Sequence, residues 1–130
     1  MNDLQWLAAT ILLTLLGAFP YVIQRTLKIG LPRTLGNPGA GDNAEMAPWA
    51  QRARLAHANA VENLVAFAPA LVAAHLHNPQ APVLATAAQA YFLARLAHYV
   101  VFAAGVPAVR TLAYFVGLGA TLVVLATLVA

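Results

Sequence analysis

The sequence predicts an all-α membrane protein, an antiparallel bundle of four transmembrane helices forming one domain over residues 1–130. Three observations carry this. Apolar residues make up 62% of the chain and charged residues only 8%, where soluble domains carry about 25% charged residues. So few charges cannot cover a soluble fold of this size, and so much apolar surface excludes disorder. Second, four apolar segments stand out, each with about the twenty residues a helix needs to cross a bilayer. Third, the later connections are very short, which makes neighbouring helices antiparallel.

The first span is expected over residues 4–24. Its start, "MNDLQWLAAT", has Asp3 and no basic region, so it reads as a first membrane helix and not as a cleaved signal peptide. A long connection over residues 25–54 follows, rich in Gly and Pro and carrying most of the charge, and reads as a solvent-exposed loop. The second span is expected over 55–77, with Pro48 in the first turn of a helix that starts outside the membrane. "NPQAP" is a tight turn into a third span over 81–104, and "GVP" leads into a fourth over 108–130. Pro20 and Pro69 lie within spans and are expected to kink them.

The net charge of +3 reads as topology and not as nucleic-acid binding. Arg25, Lys28, Arg33, Arg52 and Arg54 flank or occupy the first connection, and Arg110 lies beside the third, while "NPQAP" has no basic residue. Basic residues gather on the cytoplasmic side. The first and third connections are therefore expected there, with both termini opposite and Trp49 as an interfacial anchor. The chain has no cysteine, which excludes disulfides, a thiol nucleophile and thiolate metal sites. His75 and His77 are two apart and do not share a helix face, so no metal site is expected. His57 reads as an interfacial residue.

Ionisable residues inside a membrane are costly and mark function or register. Glu62 lies roughly 10 Å in from the cytoplasmic end of its span and Arg95 roughly 13 Å in from the end of its own, at 1.5 Å per residue. The two are nearly level, which predicts a Glu62–Arg95 ion pair between neighbouring helices, serving either register or chemistry. Tyr91, Arg95, His98 and Phe102 share one face of the third span. Asn59, Glu62 and Asn63 mark the second, and Arg110 and Tyr114 open the fourth. Small residues stripe the third span (Ala87, Ala90, Ala94, Ala97) and the fourth (Ala113, Gly117, Thr121), and let helices approach closely.

Two stretches carry a resemblance. "RARLAHANAVENL" is similar to the second-helix signature of the MAPEG family, the membrane-associated proteins in eicosanoid and glutathione metabolism. "YFLARLAHYVVFAAGVPAVRTLAY" resembles that family's third helix, turn and fourth-helix start. The resemblance implies a homotrimer that binds glutathione near the cytoplasmic face and takes hydrophobic substrates from the lipid. It implies a glutathione-binding set of Asn59, Glu62, Arg95, His98, Thr111 and Tyr114, with Arg110 as the group that activates the thiol. The chain departs from the family pattern at Leu55 and Ala58, where arginines are expected, and at Phe102, where a tyrosine is expected.

Three functions follow as expectations. The first is a glutathione-dependent transferase or peroxidase acting on hydrophobic electrophiles. The second, which Leu55, Ala58 and Phe102 favour, is a non-catalytic membrane scaffold or lipid-binding member. The third is a small proton-coupled transporter using Glu62. The expected location is a bacterial inner membrane.

Overall fold

The structure is a computed structural model that describes residues 1–39 and 41–130. The elements in order are α1 (Asp3–Leu16), α2 (Phe19–Ile29), α3 (Leu31–Leu35), α4 (Pro48–His77), α5 (Pro82–Ala104) and α6 (Pro107–Val129). There is no strand among the described residues.

The chain punctuates these helices with few residues. Asn2 caps α1: its side chain accepts from the Gln5 backbone N–H at 2.8 Å, and the Gln5 side chain accepts from the Asn2 backbone at 2.9 Å. This reciprocal arrangement satisfies two donors that every helix start leaves orphaned. Asp3, in the first turn, also accepts from His75 at 2.8 Å, tying the start of α1 to the end of α4. The break between α1 and α2 falls at Gly17 and Ala18, just ahead of Pro20. Tyr99 donates to the Gly17 carbonyl at 2.7 Å, and a methyl group at Gly17 would crowd both Tyr99 and His57. The expected kink at Pro20 is thus a break three residues earlier, pinned from α4 and α5. Pro69 leaves α4 a single helix.

The expected loop over 25–54 is shorter than the sequence suggested. α2 continues to Ile29 and α3 follows after Gly30, whose φ of 87° suits glycine. At the other end Pro48 opens α4 as expected. The remaining connection is held by charge. Asp42 is buried and accepts from Arg33 at 2.7 Å, Arg25 at 3.3 Å and the Gly39 backbone at 2.7 Å. The Gly39 N–H first, and then the Arg33 guanidinium, hold its carboxyl below the usual carboxylate range. Arg33 also donates to both Glu45 oxygens at 3.2 Å.

The short turns match the expectation. Ala81 donates to Asn78 at 3.2 Å in the turn between α4 and α5. Gly105, left-handed at φ 82°, ends α5, and Val106 reaches back to the Val101 carbonyl at 2.9 Å. Arg52 donates to the neighbouring Ala103 carbonyl at 2.9 Å, a cation placed at the negative end of a helix.

Three helical stretches are long and apolar enough to cross a membrane: Asp3–Ile29, Pro48–His77 and Pro107–Val129. α5 is as long as α6 but less apolar, because Gln89, Tyr91, Arg95, His98 and Tyr99 interrupt it. The core sits at the end of the α4–α5 turn. Leu7, Phe67, Leu71, Leu84, Ala88 and Val124 are buried there, and the Phe67 and Tyr91 rings stack with centroids 3.7 Å apart. Asn59, Arg95, His98 and Arg110 occupy the opposite half.

Candidate functional site

In that opposite half, α4, α5 and the first two turns of α6 enclose an open cleft of about 390 Å³. Asn59, His98, Phe102, Arg110, Thr111, Tyr114 and Phe115 line it. Five of the seven residues expected at a binding site therefore face one space: Asn59, His98, Arg110, Thr111 and Tyr114. Helical spacing explains how. Arg110, Thr111 and Tyr114 follow i, i+1, i+4 along α6, and His98 and Phe102 are four apart on α5.

Arg110 lies over the Phe102 ring at 4.5 Å from its centroid, a cation–π contact that holds the guanidinium at the mouth. His98 is buried, with Phe102 edge-on to it at 5.5 Å. Thr111 donates to the Pro107 carbonyl at 3.1 Å, so its oxygen presents lone pairs to the cleft.

Arg95, the sixth expected residue, stands behind the wall. It is only 3% exposed. One guanidinium nitrogen donates to Asn59 Oδ1 at 3.0 Å, while Nε and the other terminal nitrogen have no acceptor among the described residues. Its charge centre lies 5.7 Å from the Tyr91 ring and 5.9 Å from the Tyr114 ring. Gly117 makes room for it, since a Cβ there would sit 3.1 Å from the free terminal nitrogen. The small residues of α6 thus admit a side chain at this point.

Glu62 is the correction. The expected Glu62–Arg95 ion pair is not formed within the chain: Asn59 takes the guanidinium, and Glu62 is exposed and outside the cleft. Height along the helix was matched, but azimuth decides. Ala53, Ala56, Phe67, Leu71 and Ala74 mark the inward face of α4, and at 100° per residue Glu62 points well away from it. Asn63 is bonded back to Asn59, at 2.8 Å to its carbonyl and 3.3 Å to its side chain.

Sequence reasoning missed three features. It gave Asn59 no role toward Arg95, read Gly117 only as a packing residue and passed over Phe115. It placed His57 at the interface, where the ring nitrogen Nδ1 shares a 2.7 Å hydrogen bond with the Tyr21 hydroxyl. Leu55 and Ala58 are exposed and take no part in the cleft. Among the described residues no group of three metal-ligating side chains converges.

Comparison with known proteins gives one positive result. Residues 4–130 match the MAPEG family, so the chain belongs to that family over essentially its whole length. No curated protein and no solved structure matches it.

Proposed function

We propose that this MAPEG protein crosses the membrane four times, assembles as a homotrimer and uses glutathione to modify hydrophobic electrophiles, as a transferase or peroxidase. The observation that carries the reading is the convergence of Asn59, His98, Arg110, Thr111 and Tyr114 on one cleft backed by a buried, under-bonded Arg95. The donor chemistry fits an anionic tripeptide. Guanidinium groups pair well with carboxylates, and a cleft of about 390 Å³ is of ligand size. Glutathione, when bound, supplies the thiol nucleophile.

The chain's own residues would do the rest. Arg110 offers a cation at the mouth, and a cation beside a thiol favours its thiolate, the reactive form. Asn59 and Arg95 act as one unit, because the bond between them fixes the amide orientation. Phe102 and Phe115 give the cleft an apolar wall toward which a hydrophobic substrate arriving from the lipid would partition. α5 supports a fourth crossing despite its composition, since Tyr91, Arg95 and His98 are all buried inside the bundle. The basic residues gathered at the cleft end support a cytoplasmic placement of that end, with both termini opposite, and the membrane we propose is a bacterial inner membrane.

Calorimetric titration of the detergent-purified protein with glutathione tests the reading, together with conjugation of a model aryl halide. Binding and conjugation are expected, and Arg110→Ala should remove conjugation. A folded trimer that takes up no glutathione would sink the proposal.

A second reading, a non-catalytic lipid-binding member, is favoured by the exposure of Leu55 and Ala58 and by Phe102, whose ring offers no hydroxyl and carries Arg110 instead. Lipid co-purifying in the cleft of a protein without thiol chemistry would establish it. The transporter reading regains a free carboxylate now that Glu62 is unpaired from Arg95. However, Glu62 sits outside the cleft, and only proton-coupled uptake lost in Glu62→Gln would support it.

A further inference from the structure

We infer that the segment Leu27–Leu35 is a membrane-surface anchor that docks on anionic phospholipid headgroups. This lies outside the glutathione reading and does not depend on it.

The first ground is depth. The stretch Asp3–Ile29 has 27 residues and rises roughly 40 Å at 1.5 Å per residue, longer than the roughly 30 Å hydrocarbon core. Its start is tied to the end of α4 through Asp3 and His75. At its other end Gln24 accepts from the Ala47 backbone at 3.3 Å, which sets the last turns of α2 beside Trp49 in the first turn of α4. Tryptophan marks the headgroup level. The chain beyond Gln24 therefore runs in the interface and not in hydrocarbon.

The second ground is the surface presented there. Leu27 is 83% exposed, Leu31 56% and Leu35 77%. Leu31 and Leu35 are one helical turn apart on α3. Three bare leucines at headgroup level are poorly placed in water and well placed in the acyl boundary, as in surface-lying amphipathic helices.

The third ground is charge. Asp42 and Glu45 pair with Arg25 and Arg33. Lys28, next to Leu27, and Arg54 have no carboxylate partner among the described residues and are exposed. Cations beside an apolar ridge complement anionic headgroups. A second copy of the chain is a poorer occupant, because every copy brings the same basic end to this level.

The natural chain has no cysteine, so single substitutions Leu31→Cys, Leu35→Cys and, as a water-facing reference, Asn37→Cys can carry a nitroxide label. The labelled protein is placed in nanodiscs of phosphatidylcholine alone, or of phosphatidylcholine and phosphatidylglycerol in equal parts. Collisions with oxygen and with an aqueous nickel complex are then measured. At Leu31 and Leu35 oxygen should dominate, and phosphatidylglycerol should raise the ratio of docked to undocked population about fivefold per free cation, Lys28 and Arg54. Lys28→Gln should reduce that rise and Lys28→Gln with Arg54→Gln should remove it. Labels at 31 and 35 as open to nickel as the label at 37 would overturn the anchor. So would labels already immobilised in lipid-free detergent, which would assign the ridge to a protein neighbour. A lipid-dependent rise that survives the double substitution undiminished would overturn the anionic contact.

Discussion

Replacing Asn59 with alanine removes the single hydrogen bond that Arg95 makes. The guanidinium is 3% exposed and donates to Asn59 Oδ1 at 3.0 Å, with Nε and one terminal nitrogen already lacking acceptors. A hydrogen bond to a charged group contributes about 1.5–3 kcal/mol. The Tyr91 and Tyr114 rings, 5.7 and 5.9 Å away, remain to face the charge, so the lower part of that range applies and Asn59→Ala should cost about 2 kcal/mol. Arg95→Met takes away the charge together with its need for a partner, and leaves Asn59 Oδ1 its bond from Asn63 at 3.3 Å. In the Arg95→Met background Asn59→Ala should therefore cost less than about 0.5 kcal/mol, within the scatter of independent sites. Reversible denaturation in detergent, run on all four proteins of the cycle, measures the coupling. Equal costs of Asn59→Ala with and without Arg95 would refute the reasoning, because they would mean that the bond carries no energy.

Three further outcomes are expected. Glu62→Gln should change stability by less than about 0.5 kcal/mol, as an exposed site without partners does, and a loss above about 2 kcal/mol in the same assay would restore the pairing with Arg95. Gly117→Ala sets a methyl group 3.1 Å from the Arg95 guanidinium, which offsets the roughly 1 kcal/mol that alanine gains over glycine inside a helix; the substitution should stabilise the Arg95→Met background more than the native protein, and an equal effect in both would count against the contact. Asp42 has a lowered pKa in the folded state, so its tie to the connection is fully present above the ordinary carboxylate value and is lost as pH falls through the lower folded one. Tryptic cleavage after Arg33, which Asp42→Asn should raise at neutral pH, reads that tie, and equal cleavage of both forms would count against it.

The helices were legible because apolar length and Pro–Gly punctuation fix them locally: Pro48, Pro82 and Pro107 each open a helix and Gly105 closes one. The end of the first span was not. Hydropathy marks where hydrocarbon ends, but backbone hydrogen bonding carries α2 on to Ile29. The cleft was half legible. The motif residues of α5 and α6 share helix faces at fixed spacing, so their convergence follows once the turn is short. The partner of Arg95 did not follow, because it depends on the rotation of α4 about its axis. Alanines at 50, 53 and 56 set that rotation by their tight burial, and small residues announce themselves weakly in a chain so rich in them. The orphaned nitrogens of Arg95 had no sequence signal at all.

The hydrogen bond from Arg52 to Ala103, with the guanidinium packed 3.4 Å from where a Gly105 Cβ would stand, has a mechanical consequence. It rivets the foot of α4 to the head of α5, so those two walls of the cleft behave as a fixed frame. The remaining wall, the opening turns of α6 with Arg110, follows after the two-residue link Gly105–Val106 and is seated on that frame through Gly117 against Arg95 and through Ala120 and Val124 in the core. Arg52→Gln should therefore loosen the frame itself, and label-to-label distances from Ala58 to Val100 would record it while those from Val100 to Leu112 stay constant.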